Sequence, residues 1–180
     1  MTRILAVAGL LFAFSTVGAF AFERGTRVEA VAMVKRVQEK FKQNGPEETF
    51  KAVTEKEKEF NDRDLYPFIY TLDGTKCVAH GANSALVGKN LIDLKDTDGK
   101  FLIRELSATA AHPGHGWVDY KWPNPVTKMI ESKSSYVERM GDYFVGVGVY
   151  QYPCRERSEF LPKPGFPSHV PLVQEPADHR

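Results

Sequence analysis

Phe68-Ile69-Tyr70-Thr71-Leu72-Asp73-Gly74-Thr75-Lys76-Cys77-Val78-Ala79-His80 decides the fold class. Its first five residues are rich in β-branched and aromatic side chains, and Asp73-Gly74 supplies the positive-φ turn that joins two antiparallel strands. The segment therefore predicts a β-hairpin returning through Lys76 to His80. Downstream, Gly81-Ala82-Asn83 breaks the strand, and Asn83 is placed to cap a short helical turn through Leu86 before the bend at Gly88-Lys89-Asn90. Asp98 is expected to cap a helix reaching about Ala111, which Pro113-Gly114 ends. Three more strands follow, Gly116 to Trp122, about Lys128 to Met140, and Tyr143 to Tyr150, separated by Pro123-Asn124-Pro125 and by Gly141-Asp142.

Upstream of the hairpin the period changes from two to three and four. Val28, Val31, Val34, Val37 and Phe41 trace one stripe of an amphipathic helix between Glu23 and Asn44. Asn44-Gly45-Pro46 then reads as a stop and a restart, since Gly suits the left-handed position after a helix and Pro the first turn of the next. A second helix is expected from about Pro46 to Phe60, with Phe50, Val53 and Phe60 facing inward. Helices followed by a hairpin and a three-strand meander make an α+β domain on an antiparallel sheet.

The ends of the chain differ from this middle. Met1-Thr2-Arg3, the apolar stretch Ile4 to Val17 and Ala19-Phe20-Ala21 read as a secretory signal cleaved after Ala21. An uncleaved anchor is the competing reading, because Ile4 to Phe22 has about the length that spans a bilayer. After cleavage no second apolar stretch reaches that length, so a periplasmic or secreted domain is expected. Residues 152–180 carry six of the eleven prolines with almost no apolar period and read as a tail. The expected organisation is thus residues 1–21 signal, 22–151 folded domain, 152–180 tail. In an exported compartment Cys77 and Cys154 are available for one disulfide or stand as two free thiols.

Composition narrows the function. The 180 residues hold 24 Lys plus Arg against 23 Asp plus Glu, a formal net charge of +1, with no basic run of five, so nothing marks a nucleic-acid binder. Asp93, Asp96 and Asp98-Gly99 imitate part of a calcium loop, but the register puts Leu94 where the first carboxylate is needed. No G-x-S-x-G elbow, zinc spacing or phosphate loop is present, and no cofactor is expected. A metal at His112 and His115, or an enzyme using them with His80, is the weaker alternative.

What remains is an aromatic and polar set on the strands: Tyr70, His80, Trp117, Tyr120, Trp122, Lys133, Ser135 and Tyr136. Alternate residues of successive strands converge on one face of a sheet, where such groups line a small-molecule cavity. A lysine turned into that cavity calls for an anion, and a small carboxylate satisfies it through charge-assisted hydrogen bonds. The competing reading makes the tryptophans packing groups and Lys133 a solvated one.

The segment Asp64-Leu65-Tyr66-Pro67-Phe68 through Leu72-Asp73-Gly74, then Ala79-His80-Gly81, resembles the single Cache sensor domain of bacterial chemoreceptors and histidine kinases. Leu86-Val87-Gly88-Lys89-Asn90, Gly116-Trp117-Val118-Asp119-Tyr120, Lys133-Ser134-Ser135-Tyr136 and Tyr143 to Tyr150 follow in family order, covering about Arg24 to Gln151. The resemblance implies a long N-terminal helix packed on a PAS-like five-stranded antiparallel sheet, with a pocket on the sheet face for a small organic acid or similar metabolite. It carries pocket roles to Tyr70, His80, Trp117, Tyr120, Lys133 and Tyr136. It also makes the first and last strands neighbours, which would bring a Cys77 to Cys154 bridge within consideration. Family sensors are bracketed by membrane helices. Here the proline-rich tail follows the last strand, so the expectation is a non-enzymatic domain without its own transmitter that serves a separate membrane signalling or transport partner. The alternative is a structural module whose pocket is filled by side chains.

Overall fold

The computed structural model describes residues 23–151. The expected signal segment, the tail, and with it Cys154, lie outside the described residues.

The chain opens with α1, Arg27–Thr54, started by a complete capping box between Thr26 and Glu29. Gly45 interrupts it at φ +79°, and Pro46 begins the second arm, whose Thr49 hydroxyl donates to the Gly45 carbonyl at 2.8 Å. The stop and restart expected at Asn44-Gly45-Pro46 is therefore a kink within one continuous helical segment, and the second arm ends at Thr54, short of Phe60. The buried stripe is Ala30, Met33, Val34 and Val37, while Val28 is 80% exposed in the first turn. Of the expected stripe, Val34 and Val37 are buried, Val31 and Phe41 half-buried and Val28 exposed, so the buried face is turned toward Ala30 and Met33.

The strands are β1 (Pro67–Thr71), β2 (Cys77–His80), β3 (His115–Pro123), β4 (Ile130–Met140) and β5 (Tyr143–Tyr150), paired antiparallel in the order β2-β1-β5-β4-β3. Gly74 turns the first hairpin at φ +74°, as Asp73-Gly74 requires. The last of the five strands, β5, is thus the centre of the sheet. Period two divides its residues: Val145, Val147 and Val149 pack with Ile69 and Ala79 against α1, and Phe144 and Tyr150 turn to the opposite face.

That opposite face is covered by α2, Leu102–Ala111, through Leu102, Ile103, Leu106 and Ala110. Its N-cap is Phe101, not the expected Asp98. Asp96 organises the preceding turn instead, its carboxylate accepting the amides of Asp98 and Lys100 at 2.9 Å and of Lys121 at 3.0 Å. Asp98 is drawn away to the Lys121 ammonium at 2.8 Å. The result is the helix-on-sheet α+β architecture read from the sequence, with α1 on one face and a second layer on the other.

Candidate functional site

Between α2 and the sheet lies a cavity of about 10 Å³, room for one water-sized molecule. Phe68 and Tyr70 of β1, His80 of β2, Tyr120 and Trp122 of β3 and Lys133 of β4 line it on the sheet side. Leu102, Ile103 and Leu106 of α2 close it. A neighbouring cleft of about 280 Å³, lined in part by Tyr66, shares His80 and Trp122 with this cavity, so these two side chains form the partition between them.

Lys133 is the centre of the site. Its side chain is 1% exposed, and its ammonium donates to the Tyr66 hydroxyl at 2.8 Å while lying 4.0 Å from the Tyr66 ring centre and 5.0 Å from that of Tyr150. Among the described residues no carboxylate lies within ion-pair distance of it. Burial pushes Lys133 well below the ordinary lysine range, opposed only by the field of Asp64. Asp64 is itself fully buried: one carboxylate oxygen accepts the Gly25 amide at 2.7 Å, and the other has no hydrogen-bond partner among the described residues.

Lys133 reaches this position because β5 offers no obstacle. A Cβ at Gly148 would lie 2.2 Å from the Lys133 Cε and 2.3 Å from the Ser135 hydroxyl, and one at Gly146 would lie 2.3 Å from the Phe68 ring. The two glycines on the cavity side of the central strand leave a bare strip across which the lysine stem lies.

His80 is held as a neutral donor. Its Nδ1 accepts the amides of Ala82 at 3.3 Å and Asn83 at 3.0 Å, which leaves the ring proton on Nε2. Burial, followed by the charge of Lys133, lowers its pKa to about 3. The hydroxyls of Tyr70 and Tyr120 are likewise kept protonated by burial, and Tyr120 pairs with Ser135 at 2.8 Å. The cavity thus offers an amine cation, an imidazole N–H and phenol O–H groups, with no acidic side chain among its lining residues.

The structure brings Tyr70, His80, Tyr120, Trp122 and Lys133 together, with Ser135 immediately behind Tyr120. It does not bring Trp117 and Tyr136. These two are cross-strand partners on the other face of the sheet, where Trp117 packs under the Arg27 guanidinium, 4.3 Å above the ring. Residue parity is the reason: Trp117 cannot share a face with Tyr120 and Trp122 on one regular strand, nor Tyr136 with Lys133 and Ser135. The alternative metal set is also dispersed. His112 and His115 are exposed beside β3, and His80 is on β2 at the other edge of the sheet, four strands away or about 19 Å. Among the described residues no group of three His, Cys, Asp or Glu side chains is placed to hold a metal ion.

Two central residues escaped the sequence reading, Tyr66 and Tyr150. Tyr150 has the parity of Gly146 and Gly148 and is cross-strand partner to Lys133, a signal available from register once Lys133 is chosen. Tyr66 precedes its strand, where no period applies.

The family model for the Cache domain matches residues 26–159. The sensor histidine kinase MctS of Rhizobium johnstonii is 42% identical over 90 residues, 49% of this chain and 19% of its own length. The methyl-accepting chemotaxis protein McpP of Pseudomonas putida is 34% identical over 91 residues, 49% of this chain and 16% of its own. The chain thus spans less than a fifth of these curated relatives. Among solved structures, a periplasmic sensor domain of a chemotaxis protein superposes with a TM-score of 0.55 at 27% identity, covering 69% of this chain and 90% of that one. With the α1-sheet-α2 layering and the match over residues 26–159 agreeing, the chain belongs to the Cache domain family, homologous to the sensor domains of chemoreceptors and histidine kinases.

Proposed function

We propose that this protein is an exported, non-enzymatic Cache sensor domain that binds a small carboxylate in the cavity between α2 and the sheet. One observation carries the reading: a fully buried lysine ammonium faces a cavity and has no carboxylate within ion-pair distance among the described residues. Burying a charge without a countercharge is costly, and an anion entering the cavity supplies it. His80 Nε2–H and the Tyr70 and Tyr120 hydroxyls are the supporting donors. Trp122 sits on the partition toward the outer cleft, and its displacement would join the two spaces and give the ligand its volume. Cleavage after Ala21 and delivery of the signal to a separate membrane partner complete the proposal.

The small cavity favours a second reading, a scaffold whose pocket is filled by its own side chains and which acts through a protein partner. Calorimetry separates them. The protein from Phe22 onward should bind one member of a panel of small carboxylates saturably, and Lys133→Met should abolish the heat while the variant stays folded. A flat panel with wild-type protein would favour the scaffold, and unchanged affinity in Lys133→Met would remove Lys133 from the site.

A further inference from the structure

The Lys133 ammonium is the first member of a line of hydrogen bonds that leaves the cavity. The Tyr150 hydroxyl lies 2.7 Å from the Pro123 carbonyl, which accepts only, so the single Tyr150 proton is committed there. The 3.0 Å contact between Tyr66 and Tyr150 hydroxyls must then run from Tyr66 to Tyr150, and the Tyr66 oxygen accepts from Lys133 at 2.8 Å. The direction Lys133 to Tyr66 to Tyr150 to Pro123 is fixed throughout.

Pro123 is the last residue of β3 and leads into a turn built on Asn124. This asparagine is 1% exposed; its oxygen accepts the Val126 amide at 2.8 Å and its Nδ2 donates to Glu131 at 3.0 Å. The same Glu131 carboxylate holds the Arg24 guanidinium, which also donates to the Gln151 carbonyl at 3.3 Å. Residue 24, just before the N-cap of α1, and residue 151, just after β5, therefore meet on the group that Asn124 positions. Asp64, two residues before Tyr66, adds a second tie by accepting the Gly25 amide.

We propose that this line couples the state of the Lys133 ammonium to the junction of residues 24 and 151, with the Tyr66–Tyr150 pair as its two-state element. In the present arrangement both phenols donate outward, toward Pro123. When an anion takes the Lys133 ammonium, Tyr66 turns its proton to the same anion and its vacated oxygen accepts from Tyr150. Tyr150 can no longer donate to Pro123, and the Asn124 turn loses its anchor. Every buried hydroxyl stays paired in both arrangements, and only the carbonyl of Pro123, an exposed residue at the end of β3, is released. The trigger rests on the anion site proposed above, but the coupling itself is testable without ligand.

The experiment is native-state hydrogen exchange on the full chain, read at the hydrogen-bonded amides of Gly25, Asn124, Val126 and Gln151, in wild type, Tyr150→Phe, Tyr66→Phe and Lys133→Met, each with and without saturating acetate. Tyr150→Phe removes the donor to Pro123 and should speed exchange at these amides roughly tenfold without ligand, the scale of one lost hydrogen bond. Tyr66→Phe and Lys133→Met leave Tyr150 donating to Pro123 and should keep the wild-type rates. Acetate should bring wild type to the Tyr150→Phe rate and change neither Tyr66→Phe, which lacks the switching hydroxyl, nor Lys133→Met, which lacks the cation. Unchanged exchange at Gly25 and Gln151 in ligand-free Tyr150→Phe would overturn the coupling whatever the calorimetry shows, and acetate-driven exchange in Tyr66→Phe would remove the tyrosine pair as its two-state element.

Discussion

Lys133 and His80 are two bases that burial holds toward their neutral forms, and each leaves a different mark on pH dependence. For Lys133, the unfolded chain keeps its proton up to about pH 10.4, whereas the folded chain releases it at a lower pH. Between those two values the unfolded state binds more protons, so the lysine's destabilising effect shrinks as pH rises. Lys133→Met should accordingly be more stable than wild type at neutral pH, by about 1–4 kcal/mol, and urea denaturation should show that advantage narrowing toward pH 10. Anion binding should run the opposite way, favouring the charged amine, so the affinity measured by calorimetry should weaken as pH rises. For His80, lowered to about 3, the unfolded chain gains a proton below about pH 6.5 that the folded chain refuses. Stability should fall across that window, and His80→Gln, whose amide oxygen can still accept from Asn83, should flatten the fall. Equal acid slopes in the two proteins would show that His80 is not the group responsible.

At the level of elements, the site is a property of β5 as much as of β4. Gly148 is where the lysine stem crosses the central strand, so Gly148→Ala should force Lys133 aside, cost about 1–3 kcal/mol and eliminate anion binding together. Retained affinity in a folded Gly148→Ala protein would show that the stem has another route. Much of this architecture was legible: the Asp73-Gly74 hairpin, the meander and the period of α1 follow from local chemistry. The faces were less so. Trp117 and Tyr136 were grouped with Lys133 for their chemistry, although counting by two along β3 and β4 separates them. Asp98 looked like a helix cap because cap residues are recognised by type, and only the fold shows Lys121 pulling it away while Asp96 takes the turn. Tyr66 could not be found by any period, since it lies outside the strand and reaches the cavity through the path of the chain.

For the whole molecule, β1 and β5 are neighbours, as expected for the first and last strands of the sheet, while Cys154 lies outside the described residues. A thiol reagent applied to the denatured, unreduced monomer decides the pairing of Cys77 and Cys154: a count of zero shows the bridge, and a count of two shows free thiols. Within the fold Cys77 is buried and its thiol pushed up to about 11, so the native protein should react far more slowly at this position.

The meeting of Arg24 and Gln151 also bears on how the domain carries mechanical load. Tension applied through its two ends acts at nearly one point, so it peels α1 and β5 apart from the Arg24–Glu131 clasp inward instead of shearing the sheet along its length. Such a geometry yields at low force and in sequence, clasp first and core last, which suits a part whose ends are meant to shift by small amounts while the body stays folded.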